Sequence, residues 1–178
     1  VFLDRDGTII EDRGDLSRSE DVAFYADTVP ALRLLGEEFK LFIVTNQAGV
    51  ARGSISARDV ARVNARVVSC LADLGVRIVE TYVCPHQRAD GCSCIKPNPY
   101  FLRKAATDHG IDLGRSFVIG DHPHDVELAV NAGAKGIFVL SGHGRKHRRE
   151  ISGDTVVVAG IREAAELILE CRKPPEPT

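Results

Sequence analysis

Two acidic clusters carry the first chemical signal. Leu3-Asp4-Arg5-Asp6-Gly7-Thr8 sets two carboxylates two residues apart at the end of a short apolar run. A later run, Phe117 to Ile119, ends in Gly120-Asp121, with Asp125 four residues further on. At that spacing Asp121 and Asp125 face one another across the first turn of a following helix. Carboxylates gathered at one point repel one another and need a cation. Hard oxygen ligands with room for water suit Mg²⁺. A cation beside a carboxylate, a hydroxyl and a lysine is, in chemical terms, a site for phosphate. A single aspartate would be an ordinary strand-end or N-cap residue. Two clusters, each directly after an apolar run, point to function.

The second signal is Cys84-Pro85-His86 followed, after five residues, by Cys92-Ser93-Cys94. These four groups are ligands for tetrahedral zinc, and four protein ligands leave no open position for water. The expected role is therefore structural. A disulfide between Cys92 and Cys94 would close a tight, strained loop. The cluster ends two residues before Lys96, so bound Zn²⁺ would fix the loop that carries this lysine. Cys70 and Cys171 fall in helical stretches and are expected to be small buried apolar residues.

Alternating strands and helices must position these groups. Buried strands are expected at Val1 to Leu3, Leu41 to Val44, Ile78 to Cys84, Phe117 to Ile119, Gly136 to Leu140 and Thr155 to Val158. Helices are expected at Val29 to Lys40 behind Thr28 as N-cap, and at Ser56 to Leu74 with Asp59 three residues after its capping serine. Further helices run from Tyr100 to His109, from Val126 to Asn131 and from Ile161 to Cys171, the first two stopped by Gly110 and Gly133. This pattern predicts a doubly wound α/β domain around a parallel sheet. Functional groups in such sheets gather at the carboxyl ends of the strands. Asp4 with Asp6, Thr45 with Asn46, and Asp121 are thus expected along one edge. One domain is expected over residues 1–172, with a flexible tail at 173–178. Neither 11–28 nor 46–56 is long enough for a cap domain, so the site should be open.

Composition narrows the function. Among 178 residues, Lys+Arg is 23 and Asp+Glu is 25, a net charge of -2 that argues against a nucleic-acid binder. No stretch approaches the roughly 18 apolar residues of a membrane span. Five cysteines, three of them clustered, fit a cytoplasmic protein with a local metal site better than an extracellular disulfide framework.

Four strings now carry a resemblance. "FLDRDGT", "VTNQAGVARG", "IKP" and "IGDHPHD" resemble, in order, the four signatures of the haloacid dehalogenase superfamily, whose phosphatases use an aspartate nucleophile. The resemblance implies that Asp4 attacks phosphorus and that Asp6 serves as acid and then base. It implies that Thr45 and the backbone at Asn46 bind phosphate oxygens and that Lys96 neutralises charge. It further implies Mg²⁺ held by Asp4, Asp121 and the Asp6 carbonyl, with Asp125 assisting directly or through water. The Cys-x-His…Cys-x-Cys loop is similar to that of one subgroup, the D-glycero-D-manno-heptose 1,7-bisphosphate 7-phosphatases and the histidinol-phosphatases. "NQAGVARG" resembles the heptose enzymes more closely, which makes Arg52 a candidate contact for substrate phosphate.

Two positions depart from the subgroup. Ile95 stands where the heptose enzymes have an arginine, removing a bidentate anion clamp beside the far phosphate. His122 follows Asp121 where Lys or Ser is usual. Among other residues, Gly142 to Arg149 is expected to be a solvated basic loop and Arg5 to lie outside its turn. His122 and His124 are expected at the substrate or at a helix start, and His109 in the last turn of its helix. The expected protein is a monomer acting on a small phosphorylated substrate, a heptose bisphosphate ahead of histidinol phosphate, without nucleic acid or membrane.

Overall fold

The computed structural model describes residues 1–171; the expected tail at 173–178 lies outside them. The strands are β1 (Phe2–Leu3), β2 (Leu41–Asn46), β3 (Ile78–Cys84), β4 (Phe117–Gly120), β5 (Lys135–Val139) and β6 (Val156–Val158). They form one sheet in the order β3-β2-β1-β4-β5-β6, with every neighbouring pair parallel. The helices are α1 (Thr28–Glu38), α2 (Gly49–Arg52), α3 (Ala57–Asp73), α4 (Tyr100–His109), α5 (Pro123–Ala132), α6 (Gly144–His147) and α7 (Ile161–Glu170).

Successive strand residues point to opposite faces, and here both faces are covered. Phe2, Phe42 and Val118 stand in register and pack with Tyr82 against Leu102 and Ala105 of α4 and Leu128 and Ala129 of α5. Their neighbours Leu3, Ile43 and Ile119 face the other way, toward Leu32 and Leu35 of α1, Val63 and Val67 of α3, and Ala164 and Ile168 of α7. This is why β1, β4 and residues 41–44 of β2 read as unbroken apolar runs.

Local chemistry sets the helix ends. Ser56 caps α3 in a reciprocal box with Asp59, as its sequence implies. Gly110 and Gly133 end α4 and α5 in the left-handed conformation. Thr28 is not the N-cap of α1. Asp27 takes that position, and the Thr28 hydroxyl instead donates to the Ile9 carbonyl at 2.8 Å. α5 begins earlier than apolar periodicity indicates, because His122 caps it and Pro123 fits its first turn.

Three expectations are overturned. Gly142 to Arg149 is largely solvated, as expected, but it is not a loop: it contains α6, and a side chain at Gly144 would overlap the Val139 carbonyl. Its charged residues mask a glycine-dependent packing against the end of β5. Cys70 is half-buried, and Cys171 is exposed just past α7.

The polar edge is as expected. Asp4, Asn46, Cys84 and Asp121 sit at or just beyond the carboxyl ends of their strands. A hollow of about 580 Å³ at the opposite edge, bordered by Val1, Lys40 and Phe117, gathers no comparable chemistry. The Phe42 ring stacks on Phe2 at 5.1 Å and on Tyr82 at 6.3 Å, which ties three strands together. Phe42→Ala should therefore cost about 3–5 kcal/mol in urea unfolding. A loss under about 1 kcal/mol would show that this face carries little of the stability.

Candidate active site

The strand order reverses between β1 and β4, so a crevice opens at that switch point. Asp4 enters it from β1, its N–H donating to the Ile119 carbonyl of β4 at 2.9 Å. Asp121 enters from the end of β4. Asp125, at the third position of α5, turns back to accept the His122 N–H at 3.1 Å. One oxygen from each of Asp4, Asp121 and Asp125 lies within 4.8 Å of the others.

Lys96 is buried and bridges two of them. Its Nζ lies 2.7 Å from Asp4 Oδ1 and 2.7 Å from Asp125 Oδ1. Its backbone N–H donates to Asn46 Oδ1 at 3.1 Å, fixing the lysine to the end of β2. Asp121 accepts the His143 N–H at 2.7 Å. Glycine is required around these carboxylates. A Cβ at Gly7 or Gly142 would overlap the Asp121 carboxylate, and one at Gly120 would overlap that of Asp125.

The charges do not balance. Burial and the neighbouring Asp4 push the Asp121 carboxyl up to about 8. Burial also raises Asp125, against the pull of Lys96. Burial alone would lower Lys96, but Asp125 and Asp4 outweigh it and keep the ammonium charged. An all-oxygen cluster with surplus negative charge fits a hard divalent cation.

The cleft measures about 240 Å³ and is lined by Asp4, Asp6, Thr45, Asn46, Lys96, Asp121 and Asp125, bringing those expected residues together. Asp12, His122, His124 and His143 line it too. Asp12 pairs with His143 at 3.3 Å. Nothing in the polar 11–28 segment singles Asp12 out, and His143 was hidden in a basic run. Burial lowers both His122 and His124 to about 4, so both rings are neutral near pH 7. Arg52 and Ile95 do not line the cleft. Arg52 bonds Asp15 at 2.9 Å on the surface, and Ile95 is buried in the loop before Lys96.

Arg5 is not outside its turn. It is fully buried, with Nε 3.0 Å from Asp6 Oδ2 and Nη2 3.0 Å from Asp6 Oδ1. Asn64 of α3 meets its third nitrogen from 59 residues away in sequence, a contact no local pattern records. Gln47 also escaped the reading. Its amide donates to Asp6 Oδ2 and to the Thr45 hydroxyl, each at 2.8 Å.

The sulfur cluster closes on the far side of Lys96. Cys94 Sγ lies 3.2 Å from Cys84 Sγ, 3.6 Å from Cys92 Sγ and 3.4 Å from His86 Nδ1. A tetrahedron of zinc–thiolate bonds has edges of about 3.8 Å, so these residues fit Zn²⁺ with little adjustment. Burial raises the Cys84 thiol. Cys92 falls to about 7, because the backbone N–H groups of Cys94 and Ile95 and the neighbouring thiols outweigh its burial.

A carboxylate held on a lysine, facing two more carboxylates at the switch point of a parallel sheet, defines a hydrolase of the haloacid dehalogenase type. Known proteins agree. A HAD-hydrolase-like family model matches residues 93–164. The "Probable D-glycero-D-manno-heptose-1,7-bisphosphate 7-phosphatase" of Thermoplasma acidophilum is 44% identical over 75% of this chain and 84% of its own. The D-glycero-beta-D-manno-heptose-1,7-bisphosphate 7-phosphatase of Helicobacter pylori is 37% identical over 79% of this chain and 82% of its own. The crystal structure of D,D-heptose 1,7-bisphosphate phosphatase from B. bronchiseptica, complexed with magnesium and phosphate, superposes with a TM-score of 0.88. That protein is 28% identical, and the match covers 96% of this chain and 97% of that one. The bifunctional protein HisB of Campylobacter jejuni is 32% identical over 77% of this chain but only 40% of its own length. The chain thus belongs to the haloacid dehalogenase-like hydrolases, in the branch that holds the heptose-1,7-bisphosphate 7-phosphatases.

The raised Asp121 predicts a pH-dependent metal response. Below its pKa a proton occupies the carboxylate and Mg²⁺ must displace it; above, the ion meets a bare charge. The Mg²⁺-induced rise in Tm should therefore grow from about pH 6 to about pH 9. Equal rises at both ends would show that Asp121 is already ionised without metal.

Proposed function

We propose that this protein is a Mg²⁺-dependent phosphatase that hydrolyses D-glycero-D-manno-heptose 1,7-bisphosphate at the 7-phosphate. The observation that carries the hydrolytic reading is the Lys96 bridge between Asp4 and Asp125, and the similarity to heptose-1,7-bisphosphate 7-phosphatases supports the substrate. The bridge leaves one oxygen of Asp4 free beside two further carboxylates at the switch point.

The chemistry follows from the chain's own groups. The free Asp4 oxygen attacks phosphorus, and the bond from phosphorus to the ester oxygen breaks. Asp6 gives its proton to the departing alkoxide. Burial raises the Asp6 carboxyl above its ordinary value, which favours a proton there at the start of the cycle. The product is an aspartyl-phosphate on Asp4. Asp6, now a carboxylate, takes a proton from water. The water oxygen attacks phosphorus, the bond to Asp4 breaks, and inorganic phosphate leaves. The Thr45 hydroxyl and the backbone at Asn46 hold the transferring oxygens, and Lys96 keeps Asp4 oriented and balances its charge. Mg²⁺ would be held by Asp4, Asp121, the Asp6 carbonyl and Asp125, and would neutralise the phosphate oxygens.

Zn²⁺ would be held by Cys84, His86, Cys92 and Cys94, where it would fix the loop that presents Lys96 and take no part in the chemistry. The cleft is open, with His122 and His124 offering neutral hydrogen-bonding rings to the sugar. Arg52 is the guanidinium available to the far phosphate, since a half-exposed ion pair such as that with Asp15 exchanges at small cost. Ile95 is buried and supplies no charge there. The protein is proposed to work as one domain over residues 1–172, a cytoplasmic monomer. No helix among the described residues is long and apolar enough to cross a membrane.

Asp4→Asn keeps the shape of the nucleophile but removes its charge, so phosphate release should fall to background while the circular dichroism spectrum is unchanged. Near-normal turnover in that variant would rule out the aspartyl-phosphate route.

A phosphate-release screen should favour heptose 1,7-bisphosphate over histidinol phosphate by on the order of tenfold or more in kcat/KM, the worth of one charge-assisted contact. The reverse preference would move the protein to the histidinol-phosphatase side. Elemental analysis should find about one zinc per chain, retained through mild chelation; its absence, with Cys84 and Cys92 freely alkylated, would remove the structural metal.

A further inference from the structure

Arg5 is the largest fully buried side chain of the described residues, and the mechanism above gives it no task. Burying a guanidinium is costly unless partners meet its donors. Those partners are specific. Two nitrogens form a fork on the two oxygens of Asp6, at 3.0 Å each. A third, Nη1, donates to Asn64 Oδ1 at 2.6 Å. Asn64 lies on α3, 59 residues away in sequence, and is itself buried.

Asn64 is an amide, so Asp6 is the one acidic partner of the guanidinium in this set. A two-point contact fixes the plane of that carboxylate as well as its position, which a single hydrogen bond does not. Gln47 adds a donor to Oδ2 at 2.8 Å, so one edge of Asp6 is gripped by protein. The Asp6 side chain keeps 16% of its surface open, and it lines the cleft. A salt bridge serving the fold alone would gain nothing from placing its acid there.

We infer that Arg5, anchored by Asn64 of α3, is a positioning residue that aims Asp6 at the leaving-group oxygen. The inference rests on the reading of Asp6 as proton donor. α3 thus reaches the reaction through Asn64 and Arg5 without any residue of its own touching substrate.

The test exploits leaving groups. A sugar alkoxide needs the proton of Asp6; p-nitrophenolate departs without one. kcat/KM reports the step that forms the aspartyl-phosphate, where Asp6 acts as acid. Asn64→Leu keeps the number and branching of side-chain heavy atoms and removes the acceptor, so Arg5 is no longer anchored. It should lower kcat/KM for the sugar phosphate on the order of tenfold while that for p-nitrophenyl phosphate stays within about twofold. Arg5→Lys, which keeps the charge and loses the fork, should show the same selectivity more strongly. If Arg5→Lys fails to fold, Asn64→Leu decides alone. Asp6→Asn is the reference, with a selective loss of at least about a hundredfold. Equal losses on both substrates in Asn64→Leu, or none, would overturn the inference while a selective Asp6→Asn left the acid role standing. An unselective Asp6→Asn would overturn the acid role and this inference together.

Discussion

The ammonium of Lys96, enclosed between Asp4 and Asp125, is the interaction on which the rest of the site depends. Three carboxylates converge at the switch point, and without this charge they could not be buried side by side. Removing one partner of such a buried pair costs roughly 3–5 kcal/mol, because the other charge is stranded. Lys96 meets only part of the excess, and the raised Asp121 marks what is left for a cation. The same imbalance that strains the metal-free protein makes it a metal site.

Much of the surrounding structure serves to deliver that lysine. It arrives from a loop, not from a strand of the sheet, so its position must be imposed. The backbone bond from Lys96 to Asn46 ties it to β2, and Asn98 donates to the Cys92 carbonyl within the same loop. The three thiols and His86 stand just before it at separations that zinc would close into a tetrahedron. On the other side Arg88 of the sulfur loop contacts His124 at the start of α5, next to Asp125. Both partners of the lysine and the lysine itself are thus held by one connected set of contacts around a cleft of about 240 Å³. An open cleft of that size leaves selectivity to its rim, where the imidazoles of His122, His124 and His143 gather.

Local rules made most of the fold legible from the amino-acid sequence alone. Apolar runs buried on both faces marked the strands, and β3 and α4 match the expected bounds to the residue. Serine with aspartate three positions on set the start of α3, and glycines set the ends of α4 and α5. The carboxylates, Thr45, Asn46 and Lys96 were legible because each follows an apolar run or sits in a recognisable string. The cluster of Cys84, His86, Cys92 and Cys94 was legible because it is local, with all four groups within eleven residues.

Contacts made across long stretches of chain were not legible, since no spacing records them. Arg5 was misread because its neighbours in sequence are acidic and polar, while its burial is created by α3, packed over it from 59 residues away. The apolar character of Ile95 was plain, but its removal from the cleft follows from the path of the sulfur loop. The pairing of Arg52 with Asp15 at 2.9 Å is likewise made by the fold and recorded by no spacing. Asp12 and His143 came to the cleft from a polar loop and a basic run, brought together by the close approach of Gly7 and Gly142. Sequence by itself marked the six strands, five of the seven helices and most of the residues that line the cleft, because propensity, capping and motif spacing act over a few residues. Tertiary structure alone decided which charges neutralise one another, because that depends on distance and burial, and both are set by the packing of helices onto the sheet.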